Sequence, residues 1–360
     1  MATTDLPAGR AQPGTRPPGA GRRALDAIDE RLGLTALQYP VPEHANTLAW
    51  SLGGLTAASL VILIVTGLVL TQFYNPVPEV ANQSVREIIT GVWGGSFIRG
   101  THYWAAQAMY VLAGLHLLRV FVDGSYKRPR EGNWLVGVGL FALTVGALFT
   151  GTILKWDQEA FEALGHNLEI GRALGGLGFW FSTEFSRNVP ILLRLYVAHV
   201  AILPLLLVGL VVVHAALIKR HGISQHPKIP DAPAEPKEPF THHLRRIGAF
   251  GLVLLGVLGV LAVLWAPGIG PTPVEGIEVT KPLWMFLWYF PLEEWFGVSA
   301  ILWAVLVLFA LLVAVPFLDR GPERHWRRRP FMTAGMLLVV ATMVVLTMLA
   351  LFGSGAEHVG

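Results

Sequence analysis

Four histidines lie inside long apolar runs, in two pairs: His102 and His116 are 14 residues apart, and His199 and His214 are 15 apart. On a helix either interval spans roughly 21 to 22 Å and returns both imidazoles to within about 60° of one face. Two such helices side by side form two clamps, one near each membrane surface, each suited to gripping a flat metal-centred cofactor from both sides. Ionisable side chains at membrane depth are costly and by default functional, and neutral imidazole is a common axial ligand of haem iron. One membrane histidine alone is explained by a hydrogen bond across a helix interface. Two matched pairs are not.

The elements that must carry these histidines are membrane helices. The chain of 360 residues is 53% hydrophobic and 14% charged, with a mean hydropathy of +0.53, which is membrane composition and excludes an ordinary soluble domain. Apolar stretches long enough for a hydrocarbon core of about 30 Å lie near residues 48–73, 103–122, 134–154, 192–218, 247–265, 298–317 and 331–352. The fold class expected is therefore all-α: seven transmembrane helices, a four-helix bundle bearing both histidine pairs followed by a three-helix region.

Lys and Arg set the orientation. They gather in the N-terminal segment, at Lys127, Arg128 and Arg130, at Lys219 and Arg220, and from Arg320 to Arg329. With seven spans these are alternate connections, so the positive-inside rule places them and the N-terminus on the cytoplasmic side, and the expected location is the bacterial cytoplasmic membrane. The net charge of +3 is then a topology signal and calls for no nucleic acid. There is no cysteine, which excludes disulfides, iron–sulfur clusters held by this chain and thioether-linked haem.

Residues 1–24, rich in Gly, Pro, Arg and Thr, read as a disordered cytoplasmic tail; 25–220 hold the first four spans, 221–241 form a proline-rich linker, and 242–360 hold the last three. The long connection from Lys155 to Pro190 suggests two short amphipathic pieces, near Gln158–Leu164 and Ile170–Phe181. Gly53 with Gly67, and Gly137 with Gly151, repeat the 14-residue interval on the first and third spans. Small residues permit close helix packing; at this spacing they would also let porphyrin edges approach the backbone.

These features, with Arg99-Gly-Thr-His102, His116-Leu-Leu-Arg119, Gly124-Ser-Tyr-Lys-Arg-Pro-Arg-Glu131, Trp156-Asp-Gln158, Lys219-Arg-His-Gly-Ile-Ser224 and Pro316-Phe-Leu-Asp319 ahead of Arg329-Pro330, give a resemblance. From about Leu25 to Phe352 the chain resembles the cytochrome b family of quinol:cytochrome c oxidoreductases, in the split form of cytochrome b6 plus subunit IV, fused here into one polypeptide. The resemblance implies two haem b groups, with His102 and His199 ligating the outer iron and His116 and His214 the inner one. Arg99, Arg119 and Arg194, three or five residues from a ligand, would meet haem propionates, since Arg offers a fixed fork of donors to a carboxylate. The implied outer quinol site lies between Trp156 and the Pro282, Leu283, Trp284 loop, and the implied inner quinone site near Lys219 and Arg220. A Rieske iron–sulfur protein, a cytochrome c subunit and a second copy of the chain are the implied partners, within membrane lipid.

Three departures matter. Pro282-Leu-Trp-Met285 stands where the family usually has Pro-Glu-Trp-Tyr, whose Glu takes a proton from quinol. Leu283 cannot accept one, and Glu293, Glu294, Asp157 and Glu159 are the replacements that the sequence offers. Lys155 occupies the usual proline position before Trp-Asp. Ser51 replaces the cysteine that tethers an extra haem in cytochrome b6, so no covalently attached haem is expected. Two further readings stand beside the first: a dihaem electron conduit serving another redox enzyme, such as a nitrate-reductase-type partner, which Leu283 favours; and a transporter or structural subunit whose haem sites have decayed, against which all four histidines argue.

Overall fold

The computed structural model describes residues 20–32, 38–227, 236–276 and 280–353. Among these residues seven helices are long and apolar enough to cross a membrane: α2 Leu48–Leu70, α4 Gly95–Val122, α5 Glu131–Ile153, α7 Ile191–His221, α8 Phe240–Leu264, α10 Ser299–Leu318 and α11 Pro330–Phe352. The chain is an integral membrane protein of the expected all-α class. The shorter helices are α1 Ala20–Leu32, α3 Pro78–Thr90, α6 Gln158–Ala173 and α9 Phe290–Phe296.

Two spans begin well before their apolar runs. α4 starts at Gly95 and α8 at Phe240, because hydropathy reads only the lipid-facing part, whereas backbone hydrogen bonding continues until a breaker stops it. Gly94, with a left-handed φ of 69°, precedes α4, and Pro239 precedes α8. The disordered tail expected through residue 24 overlaps α1. Leu25, Ile28 and Leu32 recur there at helical spacing, a short amphipathic pattern that favours a helix. Residues 1–19 lie outside the described residues.

The connection after α5 also differs from expectation. α6 runs unbroken from Gln158 to Ala173, capped by Asp157, whose side chain accepts the Ala160 N–H, and three 3-10 turns follow as far as Phe185. α3 carries no continuous apolar run, because only one of its faces is buried, through Ala81, Val85 and Ile88. The linker contains a strand: β1 (Pro40–Pro42) pairs antiparallel with β2 (Lys237–Pro239), Val41 opposite Glu238. This ties the segment before α2 to the start of α8.

At the end of the bundle rich in Lys and Arg, the basic end, the two halves lock together. Asp319, after α10, receives a 2.7 Å contact from Lys127 Nζ and a 2.9 Å contact from Arg329, and the Tyr126 hydroxyl also donates to it. Arg329 further donates to the Phe121 and Val122 carbonyls at the end of α4, each at 2.8 Å. Beneath this network Phe121, Trp134 and Val315 pack as one apolar cluster.

Candidate functional site

α4 and α7 run parallel, so the four histidines meet at two levels. The His102 and His199 rings face each other with centroids 6.3 Å apart, and His116 and His214 with centroids 6.4 Å apart. A metal bound between two imidazole nitrogens at about 2.0 Å each, with each ring centroid roughly 1.1 Å further back, needs a spacing close to this.

That the two levels match despite unequal intervals has a local cause. α7 contains a π turn at Ala198–Ile202, which includes His199. Pro204 has no N–H to return to the Val200 carbonyl, and its ring crowds the regular α path. A π turn takes one extra residue, so the 15-residue interval is wound as though it were 14.

The paired glycines meet the imidazoles one to one. A Cβ at Gly151 would lie 2.8 Å from His199 Cε1, and one at Gly53 2.9 Å from His116 Cε1. The corresponding distances are 3.3 Å from Gly67 to His102 and 3.6 Å from Gly137 to His214. The space that these glycines clear is thus taken by the imidazole rings.

At one level the rings are also oriented chemically. Thr66 Oγ1 lies 2.9 Å from His102 Nδ1, and Thr150 Oγ1 lies 3.0 Å from His199 Nδ1. Each hydroxyl donates its own hydrogen to a carbonyl of its helix, Ile62 or Gly146. It therefore accepts from Nδ1–H, which leaves the Nε2 lone pair available to a metal. At the other level the residues before the glycines are Leu52 and Val136, and His116 Nδ1 is buried without a hydrogen-bond partner. The threonines were missed by sequence reasoning, although Thr-Gly at both positions of one level, against Leu-Gly and Val-Gly at the other, was the available signal.

A cavity of 270 Å³ opens at the His102–His199 level, between α2, α4, α5 and α7. Leu283 and Lys155 both line it. Trp284 donates to Gln107 Oε1 at 2.7 Å, and Met285 and Phe286 are buried against Leu148, so the loop that begins at Pro282 is seated on the bundle. Trp156 takes a left-handed φ of 51°, a strained value for a bulky residue that turns the chain sharply from α5 into α6.

The candidate proton acceptors separate by surroundings. Asp157 accepts from Ala160 N–H at 3.1 Å and from Gly270 N–H at 3.0 Å, which makes it a helix cap and a loop latch. Glu293 is held at 2.8 Å by His166 Nε2, and Glu294 is exposed. The arginines separate too. Arg99 donates to the carbonyls of Pro267 and Gly268, and Arg194 to those of Trp180 and Ser182, pairs of oxygens that occupy the guanidinium fork as a carboxylate would. Arg119 sits 4.3 Å over the Trp50 ring, with its Nε buried and unpartnered. Lys219 and Arg220 lie exposed on the last turn of α7. Ser51 is fully buried and donates to the Thr47 carbonyl.

The family described as Cytochrome b(N-terminal)/b6/petB matches residues 107–275. Cytochrome b6 of Heliobacterium mobile is 38% identical over 213 residues, 58% of this chain and 96% of that protein. The chain belongs to the cytochrome b/b6 family. A menaquinol:cytochrome c reductase cytochrome b subunit of Geobacillus thermodenitrificans is 39% identical over 218 residues, 56% of this chain and 97% of that one. Beyond these alignments, the fold is similar to a chain of a solved hyperthermophilic respiratory Complex III, with a TM-score of 0.77, 23% identity and 92% of each chain covered. Membership of the cytochrome b family implies b-type haem.

Proposed function

We propose that the chain is the dihaem cytochrome b subunit of a bc-type quinol oxidoreductase, with one haem b between His102 and His199 and a second between His116 and His214. The observation that carries this reading is the facing of the ring pairs at 6.3 and 6.4 Å on two parallel helices. When bound, haem supplies reversible one-electron transfer.

The residues of the chain account for the rest. The imidazoles grip from both sides, the glycines admit the rings, and Thr66 and Thr150 present Nε2 at one level. Arg119, whose guanidinium is not taken by loop carbonyls as those of Arg99 and Arg194 are, is the arginine best placed to meet a propionate. The basic end is cytoplasmic by the positive-inside rule. Quinol would then be oxidised at the outer level, beside the loop that carries Leu283, with one electron passing to a Rieske iron–sulfur protein and on to a cytochrome c subunit and the other crossing the membrane toward the inner quinone site. Quinone would be reduced near Lys219 and Arg220, with proton release at one face and uptake at the other translocating charge. The relatives named as menaquinol:cytochrome c reductase subunits support this, and assembly as a homodimer accords with it.

The decisive experiment is turnover by the purified complex. Quinol-dependent cytochrome c reduction, blocked by an outer-site inhibitor, is expected, with two b-type redox steps. His116→Ala should remove one step and leave the other; equal loss of both in a folded protein would refute the pairing. Leu283, an aliphatic residue facing the cavity, favours a second reading, a dihaem conduit for another redox enzyme. Intact haems without any quinol:cytochrome c turnover would establish that one instead.

A further inference from the structure

The two histidine levels are built alike except at the second nitrogen of each ring. Their centroids are 6.3 and 6.4 Å apart, and every ring has a glycine against its Cε1. Fixed charge is similar too. Arg99 stands three residues from His102 with Asp157 within electrostatic reach, and Arg119 three residues from His116 with Asp123 within reach. Lys155, beside the first level, is paired with Glu159 at 2.6 Å.

The hydroxyls break this symmetry. Thr66 and Thr150 accept from Nδ1 of His102 and His199 at 2.9 and 3.0 Å. Nδ1 of His116 and Nδ1 of His214 are buried without a hydrogen-bond partner among the described residues. His214 does come near the Asn133 carbonyl, four residues before its glycine. His102 and His199 come near the equivalent carbonyls of Leu63 and Ala147 and have a hydroxyl in addition.

We propose that Thr66 and Thr150 are positioning residues that hold the level of His102 and His199 at a lower reduction potential than the level of His116 and His214. This rests on the dihaem reading above. A ring whose Nδ1–H is hydrogen-bonded is more electron-rich, because the acceptor draws the hydrogen away from it, and such contacts raise the basicity of an imidazole ligand. A more basic ligand favours iron in its more positive, oxidised form, and so lowers the potential. Each hydroxyl is polarised further by its own donation to the Ile62 or Gly146 carbonyl, and burial leaves the chain of hydrogen bonds weakly screened.

The consequence is a direction. By the positive-inside rule the level with hydroxyls is the outer one. An electron passing from the weaker acceptor to the stronger moves inward, toward the negative face of an energised membrane, and the difference in potential offsets that electrical cost. One electron changes level, one iron being oxidised and the other reduced, and neither a bond nor a proton moves.

The test is a redox titration of the b absorption in the purified complex. His116→Ala assigns the steps, because it leaves the first level alone; the step of lower potential should survive. Thr66→Val and Thr150→Val keep the shape and remove the acceptor. Each is expected to change the ratio of oxidised to reduced haem at that level about tenfold at a fixed ambient potential, an upward shift of about 59 mV for a one-electron couple, with the other step unmoved. Thr66→Ser and Thr150→Ser keep a hydroxyl and should titrate as wild type. Leu52 and Val136 precede Gly53 and Gly137 as the two threonines precede Gly67 and Gly151. Leu52→Thr and Val136→Thr should therefore lower the upper step, a shift of opposite sense at the opposite level that a merely structural role would not produce.

Survival of the higher step in His116→Ala, a lower step unmoved or moved downward in either valine variant, a serine variant that behaves as valine does, or equal movement of both steps would each overturn the proposal. Should a valine variant lose its haem, Leu52→Thr and Val136→Thr decide: an upper step left in place at full occupancy overturns it. A wild-type complex with fewer than two b-type steps sinks the dihaem reading itself, whereas two steps indifferent to every hydroxyl change sink only the role given to Thr66 and Thr150.

Discussion

The glycine positions allow a graded test of the imidazole clamps. Alanine at each of the four adds one methyl group at a known distance from a histidine Cε1: 2.8 Å at Gly151, 2.9 Å at Gly53, 3.3 Å at Gly67 and 3.6 Å at Gly137. Ordinary carbon–carbon contact begins at about 3.5 Å, so the first two intrude by roughly 0.6 to 0.7 Å, the third by about 0.2 Å and the fourth not at all. A free histidine would swing aside at little cost. A histidine bonded to iron at about 2.0 Å can move only by stretching that bond or by displacing the opposite helix. Overpacking of this size costs about 1 to 3 kcal/mol, a roughly 5- to 150-fold loss of affinity for the cofactor at that level.

Haem occupancy, resolved by stepwise redox titration of the b absorption, measures the effect level by level. Gly151→Ala should weaken the His102–His199 signal and Gly53→Ala the His116–His214 signal. Gly67→Ala should be mild and Gly137→Ala silent. Equal losses across the four variants, or a greater loss in Gly137→Ala than in Gly151→Ala, would show that these glycines do not act by admitting ligand rings.

Three further outcomes are expected. Thr66→Val or Thr150→Val keeps the shape but removes the Nδ1 partner, and should weaken cofactor binding about 10- to 100-fold at the His102–His199 level alone, read by the same titration. Asp319→Ala strands Lys127 and Arg329 without their buried partner and should cost about 3 to 5 kcal/mol, seen as an earlier thermal transition in detergent and easier proteolysis between α5 and α10. Burial alone would raise the Asp319 carboxyl, but hydrogen bonds from Lys127, Tyr126 and Arg329 outweigh it and hold it below the usual carboxylate range. Its contribution is therefore complete above the ordinary carboxylate value near 3.9 and lost as pH falls through the lower folded value; Asp319→Asn should flatten the acid limb of stability measured across that window.

Much of this molecule is legible before folding. A helix has a fixed pitch and a bilayer a fixed thickness, so apolar run length sets the number of spans, and intervals of 14 and 15 residues set which histidines share a face. Charge between the spans adds an orientation. Hydropathy is blind where the helix leaves the lipid, which is why the first turns of α4 and α8, the amphipathic α3 and the full length of α6 were not foreseen.

What only the tertiary structure decided are contacts between segments remote in the chain, which leave no local periodicity to read. Asp319 meets Lys127 and Arg329 across the two halves, three charges that read singly as ordinary residues of basic connections. Arg99 and Arg194 turn to carbonyls of neighbouring loops, and Asp157 is held by backbone N–H groups, contacts that chemical type alone does not specify. The π turn at His199 is an intermediate case: Pro204 is visible in sequence, but whether it kinks, widens or breaks a helix depends on what packs around it. Spacing along one helix is a property of the chain, whereas the distance between two imidazoles on different helices is a property of their packing.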